Sequence, residues 1–207
     1  LICLFNMSAQ ISTGNTNNSG TYSSAIGFQT SAVGDYSTAM GYNTTSSASY
    51  CTAMGYATTA SGSTSTAMGV NTTASGDGST SLGNQTIASA NNSSAMGAST
   101  TASGEVSTAM GYATTANGST STSMGLSTMA NGEVSTAMGL GTTANGSISV
   151  AMGRNTTASD YGSLVIGQYN SSGSTITTSS TAFSTSNTAF VIGNGTLGNL
   201  SDAFKVM

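Results

Sequence analysis

A glycine stands at residues 27, 41, 55, 69, 83, 97, 111, 125, 139, 153 and 167, and every gap is 14 residues, with no insertion. A strict internal period constrains a fold more than composition does, because each repeat must be one structural unit that stacks on the next. The residue before each glycine is long and aliphatic: Ile26, Met40, Met54, Met68, Leu82, Met96, Met110, Met124, Met138, Met152 and Ile166. Thr stands three residues after each of the first ten glycines. Ser stands four residues before each one, except that Cys51 takes its place once. The consensus reads S-T-A-M-G-x-x-T-T-A-S/N-G-x-x.

Composition narrows what such a unit can be. Ser, Thr, Gly, Ala and Asn supply 145 of the 207 residues, whereas Leu, Ile, Val and Phe supply 29. A core centred on large aliphatic side chains is excluded. Disorder is the usual reading of so polar a chain, but it goes with high net charge. Here the net charge is −4, proline is absent, and a disordered tract has no reason to keep phase. Fourteen is also two heptads. A coiled coil, however, needs two apolar residues in every seven, and this repeat places one in every fourteen. Two glycines per repeat would further cost a helix about 1 kcal/mol each.

Alternation with period two fits better. The repeat splits into S-x-A-x-G-x-x and T-x-A-x-G-x-x, each read as about five strand residues and a two-residue turn. Ser, Ala and Gly fall on one face of the first strand, and Thr, Ala and Gly on one face of the second. Two faces of such small side chains can approach closely. The predicted fold is therefore all-β: a parallel β-roll, or β-solenoid, of 14-residue coils, with residue i stacked on residue i+14. An antiparallel meander is hinted at by Asn117-Gly118, Asn131-Gly132 and Asn145-Gly146. It gives no reason for strict identity every 14 residues.

The outward positions differ between the two strands. On the second they are mostly Thr, Ser and Asn. Thr59, Thr73, Thr101 and Thr115 form a water-tolerant row and are the candidate outward binding face. On the first strand the row from Ile26 to Ile166 lies one residue from Ala and Gly, so it points away from the interior. Coils repeat at about 4.8 Å, which makes this an apolar stripe roughly 50 Å long. A stripe of that length marks an interface. All eleven residues of the row are accordingly the candidate self-association surface.

Catalytic chemistry has little to work with. There is no His, the commonest general base and metal ligand. A Ser or Thr hydroxyl needs an adjacent base to become a nucleophile. Lys205 and Arg154 are the only cations, too few for the phosphate contacts that dominate nucleic-acid binding. Asp35, Asp77, Glu105, Glu133 and Asp160 follow the repeat glycine by seven or eight residues and are read as solvated turn charges. Carboxylates two coils apart are about 10 Å from each other, too far for one metal ion. No cofactor, metal or catalytic residue is expected. Gly76-Asp77-Gly78 and Gly193-Asn194-Gly195 lack the following helix of a nucleotide-binding loop. Asn43, Asn71, Asn155 and Asn170 head Asn-x-Ser/Thr triplets, which matter only in a host that glycosylates secreted proteins. Cys3 and Cys51 make no disulfide framework; Cys51 is read as a buried free thiol. No apolar run reaches the roughly 18 residues of a membrane-spanning helix, so no membrane insertion is expected within the chain.

The units Cys51–Gly62, C-T-A-M-G-Y-A-T-T-A-S-G, and Ser107–Gly118, S-T-A-M-G-Y-A-T-T-A-N-G, resemble the head repeat of trimeric autotransporter adhesins, the YadA-like heads. The resemblance covers about residues 16–167. It implies a left-handed roll and a homotrimeric rod. It also implies attachment to matrix proteins, glycans or cell surfaces, and an extracellular place on a cell, anchored in an outer membrane through other parts. Similar repeats occur in fibre proteins of phages and large viruses, so a virion surface fits as well. The runner-up function is ice binding through flat Thr rows. Residues 1–15 are expected to form an N-terminal cap or junction. Residues 168–207 are expected to form a closing segment leading to a neck or further domain, with a small core of Phe190, Val191, Ile192, Phe204 and Val206.

Overall fold

The computed structural model describes residues 14–173 and 176–207. The described residues form 24 β-strands and no helix. Each 14-residue repeat contributes one five-residue strand and one two-residue strand. The five-residue strands are the even-numbered ones from β2 (Ser24–Phe28) to β22 (Leu164–Gln168). The two-residue strands are the odd-numbered ones from β1 (Asn17–Asn18) to β21 (Thr157–Ala158). Like pairs with like in two parallel sheets, a wide one and a narrow one of 11 strands. The register is the sequence period: Ala109 lies beside Ser123, Met110 beside Met124 and Gly111 beside Gly125. The chain is thus a parallel β-solenoid of about eleven 14-residue turns.

The interior is filled with small side chains, as alternation requires. One core cluster consists of Ala88, Ala95, Ala102, Ala109 and Ala116 alone, all with no exposure. Ser107 and Thr114 are equally buried beside it. Ser, Ala and Thr occupy the inward positions, and the two sheets lie close enough that nothing larger is needed between them.

Two features depart from the sequence reading. The repeat glycine is not interior filling, since Gly41 and Gly111 are only partly buried. Its φ is +125° at Gly41 and +127° at Gly111, a conformation L side chains rarely adopt. A Cβ on Gly111 would also stand 2.1 Å from the carbonyl oxygen of Gly125. The glycine is thus fixed by backbone dihedral and by the neighbouring coil. The halves of the repeat are also unequal. In the second half the ladder bends early: the N–H groups of Asn117 and Gly118 both donate to the Ala130 carbonyl, at 2.8 and 3.2 Å. Only Thr115–Ala116 keeps regular strand geometry there.

Beyond β22 the period breaks. The next strand, β23 (Phe190–Asn194), pairs parallel with β22, setting Leu164 beside Phe190. The offset is 26 residues instead of 14. The last strand, β24 (Asp202–Val206), runs antiparallel to β23. The expected closing core is smaller than predicted. Val191 joins Val165 in the interior, while Phe204 and Val206 stay exposed, because β24 extends the sheet edge and none of the described residues covers them. The expectation of a cap over residues 1–15 falls mostly on residues outside the described ones.

Candidate functional site

Numbered from the repeat glycine, the strands of the wide sheet carry outward rows at −3, −1 and +1, and a fourth row, at −5, lies in the turn before each strand, where Tyr36 has φ +56°. The −1 row is the Ile26-to-Ile166 stripe. Its side chains are half-buried on a chain taken alone, with Met68 and Met152 the most open at 39% and 38%. The −3 row is mostly Thr, including Thr38, Thr52 and Thr108, also half-buried.

The sequence reading missed the two flanking rows. At −5, Tyr22, Tyr36 and Tyr50 stack with centroids 5.2 and 5.0 Å apart. At +1, Phe28, Tyr42 and Tyr56 stack at 5.6 and 5.2 Å. The coil spacing brings like rings into register, just as it does the methionines. The tyrosines recur at 14-residue spacing in the sequence, but only over the first coils, so they fall outside the consensus.

The narrow sheet presents a different surface. Thr59, Thr73, Thr101 and Thr115 lie along it, half-buried, one to a coil. Ile87 and Met129 interrupt their row and are 42% and 41% exposed. Beside it runs a carboxamide ladder. Ser103 donates to the Asn117 side chain at 2.7 Å, Asn117 to Asn131 at 2.8 Å, and Asn131 to Asn145 at 2.9 Å. A strand two residues long offers one Thr row, and an interrupted one. The flat multi-row lattice that ice binding calls for is not what this face presents.

The carboxylates serve the backbone. Asp35 accepts the N–H of Thr21, and Asp77 that of Ser63, each at 2.8 Å and one coil back. Asp160 is not a solvated turn charge. It is completely buried, because the chain after residue 170 folds over it. It accepts the N–H of Thr177 at 2.6 Å and of Thr188 at 2.8 Å. Burial pushes its carboxyl up, but those hydrogen bonds outweigh burial and hold it below the ordinary value of 3.8. Among the described residues no group of three His, Cys, Asp or Glu is placed to hold a metal ion. Cys51 is a buried free thiol donating to the Ala48 carbonyl at 2.8 Å. A cleft of about 340 Å³ lies between Tyr161, Phe183, Asn187, Ala189 and Met207. It holds no acid–base pair.

The family described as YadA head domain repeat (2 copies) matches residues 19–44, 52–72, 60–86, 74–100, 88–114, 102–128, 130–153 and 144–170. No curated protein matched the chain. With the repeat matched over most of its length, the chain belongs to the YadA head repeat family, a structural family of adhesin-type fibres.

Proposed function

We propose that the chain is part of a homotrimeric adhesive rod displayed outside a cell or on a virion. The roll, residues 16–167, is the rod body, and residues 168–207 close it. The observation that carries this reading is the −1 row, eleven aliphatic side chains left half-exposed along one flat face. A stripe of that length is unfavourable on a free chain in water.

Members of the family form trimers, and three copies set with their −1 rows facing a common axis would bury the stripe and leave the narrow sheets outward.

A rod without acid–base or metal groups acts by presenting surface and length. Every coil repeats the narrow-face row around Thr59, Thr73, Thr101 and Thr115, and three chains repeat it again. Weak contacts to a matrix fibre, a glycan coat or a cell surface then sum by avidity, by a factor of about 100 or more. The test has two arms. Met96→Asp, Met110→Asp and Met124→Asp in one chain put three charges into the seam, where an uncompensated buried charge costs roughly several kcal/mol. Light scattering should show loss of the oligomer, and an unchanged trimer mass would overturn the interface. The wild-type rod should be retained on an immobilised repetitive target and bind a soluble monovalent fragment of it weakly. Equal binding to both would overturn adhesion by avidity.

A further inference from the structure

Eight of the eleven side chains in the −1 row are methionine. They lie in two unbroken runs. Met40, Met54 and Met68 stand side by side. After Leu82, so do Met96, Met110, Met124, Met138 and Met152. Ile26, Leu82 and Ile166 show that the position also accepts branched aliphatic side chains, so packing alone does not require sulfur. One further methionine belongs to the roll. Met129 takes a Thr position in the narrow-sheet row, between Thr115 and Thr143, and is 41% exposed.

A thioether differs from a branched alkyl group in its reaction with peroxides. The sulfur lone pair takes one oxygen of hydrogen peroxide as the O–O bond breaks. The two protons leave with the other oxygen as water, and the sulfur is oxidised by two electrons to a sulfoxide. A flexible apolar side chain thereby becomes polar. On a free chain the new oxygen is hydrated. The roll is untouched, because the −1 side chains point away from the small-residue interior. In a seam of −1 rows the same oxygen is buried among methionines, which donate no hydrogen bond. A buried polar group without a partner is unfavourable, and the register of the row repeats that penalty at every oxidised coil. A closed seam, conversely, keeps peroxide away from the sulfur.

We propose that the −1 methionines make assembly of the rod sensitive to oxidation: peroxide acting on the free chain converts the row to sulfoxides that cannot close the seam, whereas the assembled rod shields the same sulfurs. This rests on the trimeric reading above. Oxidation and assembly then exclude one another. The free chain is the vulnerable species, with Met68 and Met152 the most open of the row at 39% and 38%. Met129 lies outside the seam, so it stays reactive in both states and serves as an internal reference. Sulfoxides are reduced back to thioethers by dedicated reductases, which makes the block on assembly reversible.

The experiment uses the whole chain carrying Cys3→Ser and Cys51→Ser, so that methionine sulfur alone reacts. The assembled rod, treated with hydrogen peroxide and digested, should show added oxygen at Met129 and none at Met96, Met110 or Met124 by peptide mass spectrometry. Chain unfolded in denaturant, oxidised and returned to buffer should recover the β-sheet circular dichroism of the untreated chain but lose the oligomer in light scattering. Methionine sulfoxide reductase should restore it. A variant with Leu at the eight −1 methionine positions, as already at Leu82, should regain the oligomer after the same oxidation. In a sample of trimer mass, −1 sulfurs oxidised as fast as Met129 overturn the switch and leave the trimer standing. An oxidised wild-type chain that still assembles does the same. Loss of the β-sheet signal on oxidation places the damage in the roll and overturns the switch as well. A monomer mass for the untreated chain overturns the trimer and the switch with it.

Discussion

In the roll, every coil satisfies the backbone of the next by repetition. Thr101, Thr115 and Met129 each donate an N–H to the carbonyl thirteen residues on, at 2.9 Å every time. No side chain takes part in these bonds. After Gly167 the period ends, and side chains take over the same work. The carboxamide of Asn170 accepts the Thr157 N–H at 2.8 Å and donates to the Thr157 carbonyl at 2.9 Å. It thus stands where the peptide of a twelfth coil would lie against β21. Asp202 accepts the N–H groups of Ser171 and Ser172 at 2.9 and 2.8 Å. Asp160 holds Thr177 and Thr188. A periodic region spreads its stability over many equivalent contacts. An aperiodic one concentrates it in a few groups without substitutes.

The sharpest way to break that contrast is to put the same substitution in both regions. Gly111→Ala meets a φ of +127° and a carbonyl oxygen 2.1 Å from the new Cβ. Strain of this kind and overpacking each cost about 1–3 kcal/mol, so a loss of about 3–5 kcal/mol is expected. Gly198→Ala also sits at positive φ, +83°, but its Cβ meets nothing within 4 Å. There only the dihedral cost of about 1–2 kcal/mol remains. Equal denaturation midpoints for the two variants would mean that inter-coil contact does not decide the glycine.

Asp160→Ala tests the other side. It strands two backbone N–H groups, one belonging to the buried Thr188. Each unmet buried donor costs about 1–3 kcal/mol. The expected loss is about 2–4 kcal/mol, confined to the closing segment. Protease should cut within residues 176–190 of the variant while the roll stays intact. Cleavage spread evenly along the chain would show that the two regions do not unfold separately.

How much of this was legible follows the same division. The inward rows of Ser107, Ala109, Thr114 and Ala116 follow from alternation and period, because each coil sees the same neighbours. What the period does not encode was not legible. The positive φ of Gly111 comes from the corner geometry of the coil, and a sequence shows only that glycine is there. Asp160 reads as one more turn acid until the chain from residue 176 onward is seen folding over it. Asn170 reads as the head of a glycosylation triplet, yet it is 2% exposed and its carboxamide is committed to Thr157.

Acid sharpens the comparison without any mutation. Asp160 and Asp202 both sit below the ordinary carboxylate value of 3.8. In each case burial raises the carboxyl and hydrogen bonds more than offset it. A depressed folded value means the stabilisation is present above the unfolded pKa and is lost as pH falls through the folded one. The segment they hold should therefore loosen below about pH 4. The ladder bond of Thr115 runs from N–H to the Thr128 carbonyl, with no carboxylate in it. Amide exchange of Thr177 and Thr188 should accelerate on acidification, relative to intrinsic rates, and that of Thr115 should not. Parallel changes at all three sites would contradict the distinction.

The smallest effect expected is a gain, and it asks whether the roll also profits from a specific side-chain contact. Thr114 is buried with its hydroxyl unpartnered, as are Thr100 and Thr142 in neighbouring coils. Thr86 and Thr128 occupy the same position and are paired, to Ser81 and Ser123, each at 2.7 Å. In those two coils Ser replaces the inward Ala that lies two residues before the repeat glycine. Ala109 is the matching Ala for Thr114. Ala109→Ser adds one atom to a site that already accepts it at Ser81 and Ser123, so overpacking is not expected. The new hydroxyl is buried, but so is its partner, and one bond satisfies both. A net gain of about 0.5–1.5 kcal/mol is expected, the ordinary worth of an internal hydrogen bond. Ser123→Ala should lose a similar amount by stranding Thr128. The pair of variants isolates the bond, since each changes one oxygen in an otherwise equivalent coil. If Ala109→Ser destabilises while Ser123→Ala does not, the buried threonine hydroxyls are satisfied by some other means, and repetition of backbone and volume alone holds the roll together.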